Sequence, residues 1–310
     1  MKTKRLFVFA AYDADSIIDE TLVHYVRSLA EIGDVIFTMD NDVSGEDLEK
    51  ISTLPNVIYA NASRHGEYDF GSYKRGYKYA WDNNLLSQYD WVYLVNDSVY
   101  GPLWDLEPVL TDLESRGTEF TGMIDFENEA TSVQVQSWFV GMGCKLATKP
   151  FVKQFLDSVV HQPAKELVVL KYEVGLSRTI LAHGYQMATI ISGQRGDICH
   201  SVYKKPFDVL KSGVPFIKKM GLENMGGLQY LYAYAPEELV NSIYQNATRT
   251  GIPMVFSKYR NCFRFTVFGS PIVRITCQQI CNCLTVAYKV YLFDKIPVFK
   301  ISITGLHNDK

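Results

Sequence analysis

Asn96-Asp97-Ser98 stands at the abrupt end of an apolar run, Trp91 to Val95, and is followed shortly by Gly101-Pro102. A carboxylate in that place lies just past the carboxyl end of a buried strand, where open α/β sheets bind ligands. The same three residues serve equally well as a turn or a helix cap. A second stretch runs Arg64-His65-Gly66-Glu67-Tyr68-Asp69-Phe70-Gly71-Ser72-Tyr73-Lys74-Arg75-Gly76. Its glycines let backbone approach a ligand closely, and a helix starting near Gly71 aims N–H groups at an anion. Asp69 either bonds a ribose or sugar hydroxyl or caps that helix. Lys74 and Arg75, one turn in, either meet a diphosphate or lie in solvent. Glycine, acid, glycine and base together at one strand-to-helix junction favour a charged, hydroxylated ligand over any of these residues taken singly.

Alternating elements must place these two stretches. Leu6–Ala11, Asp34–Met39, Val57–Ala60 and Trp91–Val95 are apolar runs of strand length. Ile17, Ile18, Leu22, Tyr25, Val26, Leu29 and Ile32 recur at helical spacing, so a helix capped by Asp15 or Ser16 is expected between the first two strands. Helices are also expected over Gly45–Ser52 and from about Phe70 to Leu86. Strands alternating with helices imply a parallel sheet with right-handed crossovers, a Rossmann-type half in the amino-terminal third. Beyond it the pattern predicts a helix over Leu103–Ser115 and a strand over Phe120–Asp125. Val133–Leu146 reads as a strand pair or one long bent strand, Pro150–Val160 and Glu166–Ala182 as helices, and Gln186–Ile191 as a late strand. No Gly-x-Gly-x-x-Gly follows the first strand, and no Gly-Lys-Ser/Thr loop occurs. Both absences argue against a dinucleotide dehydrogenase and a P-loop enzyme.

Composition sets the outer bounds. A 310-residue chain with 47% apolar and 21% charged residues folds around a large core. A net charge of -3 gives no nucleic-acid signal. The leading Met-Lys-Thr-Lys-Arg and the run after it imitate a secretory signal, but the run is short and Asp13 and Asp15 follow at once, so a strand and a cytoplasmic protein are expected. Without an export signal the triplets Asn61-Ala62-Ser63, Asn96-Asp97-Ser98 and Asn246-Ala247-Thr248 carry little weight as glycosylation sites. Cys277, Cys281 and Cys283 are close in sequence, but they lack the paired spacing of a zinc site. From Gly251 onward eight lysines and arginines face two aspartates, with aromatic and aliphatic residues interleaved. Such a stretch suits either docking to an anionic membrane surface or packing as a small basic appendage.

Three stretches carry a family resemblance. Tyr68-Asp69-Phe70-Gly71-Ser72-Tyr73-Lys74-Arg75-Gly76, Leu94-Val95-Asn96-Asp97-Ser98-Val99-Tyr100-Gly101-Pro102 and Pro215-Phe216-Ile217-Lys218-Lys219 resemble the rhamnan synthesis protein F family of bacterial surface polysaccharide assembly. The match in order and spacing runs over roughly residues 1–225, and the first two motifs are the more specific. The resemblance implies an α/β, GT-A-like, Rossmann-type, mostly parallel sheet flanked by helices, followed by the basic carboxyl-terminal appendage. It implies transfer of a sugar, often L-rhamnose, from a nucleoside diphosphate. With dTDP-L-rhamnose as the β-linked donor the product would be α-linked, with inversion. Two departures stand out. The family usually has asparagine where this chain has His65, and many GT-A enzymes flank one residue with two acids where this chain has Asp97 alone.

Under that resemblance the donor-binding candidates are Asp69, Gly71, Lys74, Asn96 and Asp97. Asp97 would hold Mg²⁺ or Mn²⁺ against the diphosphate, since hard cations take oxygen ligands. His200 either reaches the same metal or is a structural or surface histidine. Glu173, in Tyr172-Glu173-Val174-Gly175-Leu176-Ser177, resembles the acidic helix start that supplies the base of inverting GT-A enzymes; an exposed helical carboxylate is the plainer reading. Asp125 and Glu127 are its rivals. Trp138 beside Gln136 would form an acceptor platform or pack in the core.

The reading that follows is an inverting hexosyltransferase at the cytoplasmic face of the membrane, acting on a lipid-linked glycan acceptor. Residues 1–200 would bind nucleotide sugar and acceptor, and 201–310 would form the basic, aromatic-rich extension. The alternative is a non-catalytic component that binds nucleotide sugar or glycan within a polysaccharide assembly complex. A nucleotidyltransferase is weaker still, because the glycine-rich phosphate loop it needs after the first strand is missing.

Overall fold

The computed structural model describes residues 3–128, 132–192 and 202–254, together with the backbone of four strands between 260 and 304. The chain divides into two compact units. One comprises Met1–Val202 with Phe207–Lys218, and the other Tyr203–Pro206 with Lys219–Lys310.

The first unit opens with the expected alternation: β1 (Arg5–Ala11), α1 (Glu20–Ala30), β2 (Asp34–Met39), α2 (Gly45–Ser52), β3 (Val57–Ala62), α3 (Tyr68–Asp82) and β4 (Trp91–Asn96). β5 (Val99–Tyr100), α4 (Glu107–Ser115), β6 (Phe120–Asn128), β7 (Ser132–Val135) and β8 (Phe139–Gly143) follow. Next come α5 (Cys144–Ala147), α6 (Pro150–Asp157), α7 (Lys165–Val168), α8 (Val174–Ala182), β9 (Met187–Ile191), α9 (Pro206–Lys211) and β10 (Ile217–Lys218). The central sheet has the order β3-β2-β1-β4-β8-β6-β7, with β9 joined to β6. β3, β2, β1 and β4 are parallel neighbours, β8 runs against both β4 and β6, and β9 is parallel to β6. The sheet is therefore Rossmann-type and mostly parallel, with a reversed strand let into its middle.

β1 is buried along its whole length, which is why it reads as a continuous apolar run. Leu6, Val8 and Ala10 join Phe70, Tyr73 and Tyr77 of α3 and Leu176 and Ile180 of α8 in one core. Phe9 packs on Tyr25 and Phe37 on the other side, with ring centroids 5.0 and 5.7 Å away.

Three local departures from the sequence pattern shape the site. Asp19, not Asp15 or Ser16, caps α1, accepting from Thr21 N and Leu22 N; Asp13 instead ties down the preceding turn through Asp15 N and Ile17 N. The Val133–Leu146 stretch is a strand pair, β7 and β8, both antiparallel to β6 and ending at Gly143. Asp125 pairs with Val135 and Gly122 with Val140, so residues 136–139 span only Met123 and Ile124 on β6. This bulge falls on Gln136-Ser137-Trp138, and bulges of this kind re-aim side chains. The single helix expected over Glu166–Ala182 is broken by a wide π-turn, Val169–Glu173, of a type that recurs at functional sites.

In the second unit α10 (Glu237–Thr250) buries Leu239, Val240, Ile243 and Ala247. Four strands, β11 (Arg260–Val267), β12 (Ser270–Ile280), β13 (Thr285–Leu292) and β14 (Ile296–Thr304), form an antiparallel meander within the basic carboxyl-terminal stretch. Cys281 and Cys283 lie outside the described residues. Among the described residues no helix is long and apolar enough to cross a membrane.

Candidate active site

A cavity of about 380 Å³ opens where β1, β2, β3 and β4 end. In an order of β3-β2-β1-β4 this is the point where the sheet's connections reverse direction, the usual ligand crevice of such sheets. Asp69, Asn96, Asp97 and Ser98 line it, with Asp40 and Gly66; Tyr12, Arg64, Tyr68, His161 and Lys165 complete its walls.

The polar groups at the end of β4 are tightly organised. Asn96 is buried, and its backbone N–H donates to Trp138 O at 3.1 Å. Its side-chain amide donates to Asp69 Oδ2 at 2.9 Å, while its Oδ1 accepts from Ser98 N at 3.1 Å and Ser98 Oγ at 2.5 Å. Asn96 is thus spent on bracing Asp69 and Ser98. Asp69 also accepts from Phe70 N. Burial raises the Asp69 carboxyl above the ordinary range, and Lys218 pulls it back. Asp97 is half-buried on the cavity wall, its N–H donating to Ala10 O at 3.3 Å.

The loop before α3 is built around Asp40, at the end of β2. Its carboxylate accepts from His65 N at 2.6 Å and Gly66 N at 2.9 Å, and Arg64 lies 3.4 Å away. Gly71 is required here for internal packing: a Cβ on it would fall 2.3 Å from Glu67 Cβ and 2.7 Å from the His65 ring. Lys74 turns away from the cavity, donating to Val159 O at 2.7 Å and lying 4.0 Å from Glu67. Arg75 pairs with Glu67 at 2.6 Å. Both bases are therefore engaged with protein groups.

Glu173 ends the π-turn, and its Oε2 accepts from Ser137 Oγ at 2.6 Å. Burial raises its carboxyl above the usual range, against the pull of the Ser137 bond and of Lys218, and Asp69 raises it further. Ser137 is fixed in turn by Tyr73, whose hydroxyl donates to Ser137 O at 2.9 Å. Gln136 and Trp138 are buried, and Trp138 Nε1 donates to Gln136 Oε1 at 2.7 Å. The cavity walls thus include Asp69, Asn96 and Asp97, Glu173 couples electrostatically to Asp69, and Gln136 and Trp138 are buried and are not among the walls. His200 lies outside the described residues.

Asp40 and Lys218 carry no role in the sequence reading, although both are legible in hindsight: one acid ends the second strand, and the lysine lies in the third family-like motif. Among the described residues no three of His, Cys, Asp and Glu come together as a metal cluster. Asp97 offers a carboxylate oxygen at the wall, the ligand type that Mg²⁺ and Mn²⁺ take, and phosphate oxygens rather than a closed protein cage would complete such a site.

A family model described as rhamnan synthesis protein F matches residues 35–294, most of the chain and all of the walls but Tyr12. The chain belongs to the rhamnan synthesis protein F family. Membership gives it a role in rhamnan polysaccharide synthesis. No curated protein matches the chain.

Proposed function

We propose that this member of the rhamnan synthesis protein F family is an inverting GT-A-type glycosyltransferase. It moves a sugar, L-rhamnose in the first instance, from a nucleoside diphosphate such as dTDP-β-L-rhamnose to a growing, lipid-linked surface polysaccharide. The observation that carries the reading is the placing of Asp69 and Asp97 in one cavity at the strand ends, with the desolvated Glu173 coupled to Asp69.

Inversion needs one displacement. The acceptor hydroxyl gives its proton to Glu173, its oxygen bonds the anomeric carbon, and the bond to the diphosphate oxygen breaks with its electron pair leaving on the diphosphate. A carboxylate whose pKa is raised by burial is a stronger base than one in water. Asp69, braced by Asn96, presents an acceptor to donor hydroxyls. Asp97 would hold a divalent cation, which when bound neutralises the diphosphate. The basic carboxyl-terminal stretch would dock at the cytoplasmic face of the membrane, where a lipid-linked acceptor lies.

A second reading, a non-catalytic component that binds nucleotide sugar, draws on one observation: Glu173 is held by Ser137 and is not one of the cavity walls. Purified protein incubated with dTDP-L-rhamnose and other nucleotide sugars, a lipid-linked acceptor and Mn²⁺ decides between them. Transfer supports the enzyme; donor binding without transfer supports the second reading; neither transfer nor binding of any nucleoside diphosphate defeats both.

A further inference from the structure

We propose that Lys218 is a catalytic cation of this site, its ammonium bonding the phosphate oxygens of the donor and receiving their charge as the diphosphate departs. This rests on the glycosyl-transfer reading and adds to it a group that acts on the leaving side.

The placement is built by a ladder distant in sequence. β10 pairs antiparallel with β5, setting Lys218 opposite Val99 and Ile217 opposite Tyr100. Leu103 N donates to Pro215 O at 2.8 Å. Gly101 permits the approach: its φ is +137°, and a Cβ there would lie 2.5 Å from Pro215 O. Phe216 is buried against Trp138, Tyr25 and Phe139, with centroids 5.6, 5.1 and 5.7 Å away. The segment carrying Lys218 is therefore clamped to the chain directly after Asn96-Asp97-Ser98.

The ammonium is aimed at that turn. Nζ donates to Ser98 Oγ at 2.8 Å and stands 5.6 Å from the Trp138 ring centroid. Ser98 is a cavity wall, and its hydroxyl donates a hydrogen bond to Asn96 Oδ1, while the Asn96 amide in turn holds Asp69. An ammonium has three N–H donors, and among the described residues one is committed, to Ser98. Two remain for oxygen ligands.

Its surroundings make that charge effective. Desolvation lowers Lys218 to about 8, while Glu173 and Asp69 hold it up. Lys218 is not itself a wall but stands half-buried behind the wall residue Ser98, whereas the two cations that do line the cavity, Lys165 and Arg64, are exposed, so solvent screens them. A cation withdrawn from water stabilises developing negative charge more strongly than an exposed one.

The test uses the full chain as wild type, Lys218→Met and Lys218→Arg. Thymidine diphosphate, uridine diphosphate and the corresponding free nucleosides are titrated calorimetrically, after thermal melting confirms a folded state. We expect the methionine variant to lose tenfold or more in affinity for the tighter diphosphate, with nucleoside affinity unchanged and the arginine variant within threefold of wild type. Ser98→Ala, which removes the hydroxyl that steers Nζ, should lose less and again only for the diphosphate; it carries the test if the methionine variant does not fold. Equal diphosphate affinity in wild type and a folded methionine variant overturns the role of Lys218 while leaving glycosyl transfer standing. Failure of the wild type itself to bind these or any other nucleoside diphosphate removes the glycosyl-transfer reading, and this inference with it.

Discussion

Asn96 Nδ2 donates to Asp69 Oδ2 across 2.9 Å, joining the end of β4 to the first turn of α3. This bond holds together the two stretches whose residues looked most chemical, and it defines what Asn96 does. Its amide is a brace between an acid and a serine. Asn96→Asp sets two carboxylates face to face in a desolvated place, so one must carry a raised pKa. A group whose folded pKa is raised contributes stability that is present below its unfolded value and is lost as pH rises through the folded value. The Asn96→Asp variant is therefore expected to be more stable relative to wild type at pH 5 than at pH 8. Denaturant melts of both proteins at the two pH values check this; an equal deficit at both would show that the introduced carboxylate is solvated.

Glu173 gives a sharper kinetic expectation. Glu173→Gln keeps an acceptor for Ser137 Oγ but cannot take a proton, so transfer should fall by about 10²- to 10⁴-fold while the melting temperature barely moves. In the wild type the acid limb of kcat/KM should lie above the ordinary glutamate value of about 4.3, because burial raises this carboxyl. Retained transfer in Glu173→Gln would pass the role to another acid, with Asp125 and Glu127 next in line.

Much of this architecture can be read along the chain, and the part that cannot has a common cause. β2 and α2 begin and end where periodicity and turn residues place them, at Asp34–Met39 and Gly45–Ser52. Such elements are decided by neighbours within a few residues. Insertion of β8 between β4 and β6, the bulge at Gln136-Ser137-Trp138 and the π-turn ending at Glu173 depend on partners far away. Lys218 is the clearest instance: its bond to Ser98 spans 120 positions, and a lysine in a short apolar segment gives no local sign that its ammonium is desolvated. Conversely, Lys74 sits at helical spacing for a ligand contact yet is drawn off by Val159 O.

Tyr68 invites a test of strain against use. It lines the cavity at 39% exposure with φ of +58°, a left-handed conformation that is costly for a bulky residue. Such outliers cost about 1–3 kcal/mol and persist at functional sites. Tyr68→Gly removes the steric cost and gives up little buried surface, so after the greater backbone entropy of glycine is subtracted a net gain of about 1 kcal/mol is expected. Nucleotide-sugar affinity should fall in the same variant as the ring is lost. Thermal melting and donor titration together check the trade; a lower melting temperature with unchanged affinity would make Tyr68 a structural residue.

His65 stands where the family usually has asparagine, and its ring explains what either residue can do there. Glu67 N–H donates to Nδ1 at 3.1 Å, so Nδ1 is the acceptor and Nε2–H donates to Ser72 Oγ at 3.1 Å. Burial lowers the His65 pKa first and the Arg75 charge second; Asp40 and Glu67 oppose them, and Arg64 adds to the lowering. A folded pKa below the unfolded value of about 6.5 means that the unfolded chain binds the extra proton. This contribution to stability is thus complete above that value and is lost as pH falls through the folded pKa. Asparagine two residues before Glu67 offers a side-chain oxygen to the same N–H, as in an Asx turn, but is too short for Ser72. His65→Asn should therefore cost about 0.5–1.5 kcal/mol at pH 8, the worth of one hydrogen bond, and should be destabilised less than wild type on going from pH 7 to pH 5. Denaturant midpoints at pH 5, 6, 7 and 8 read the difference directly; curves for the two proteins that stay parallel throughout would mean that the imidazole is not the group titrating in this loop.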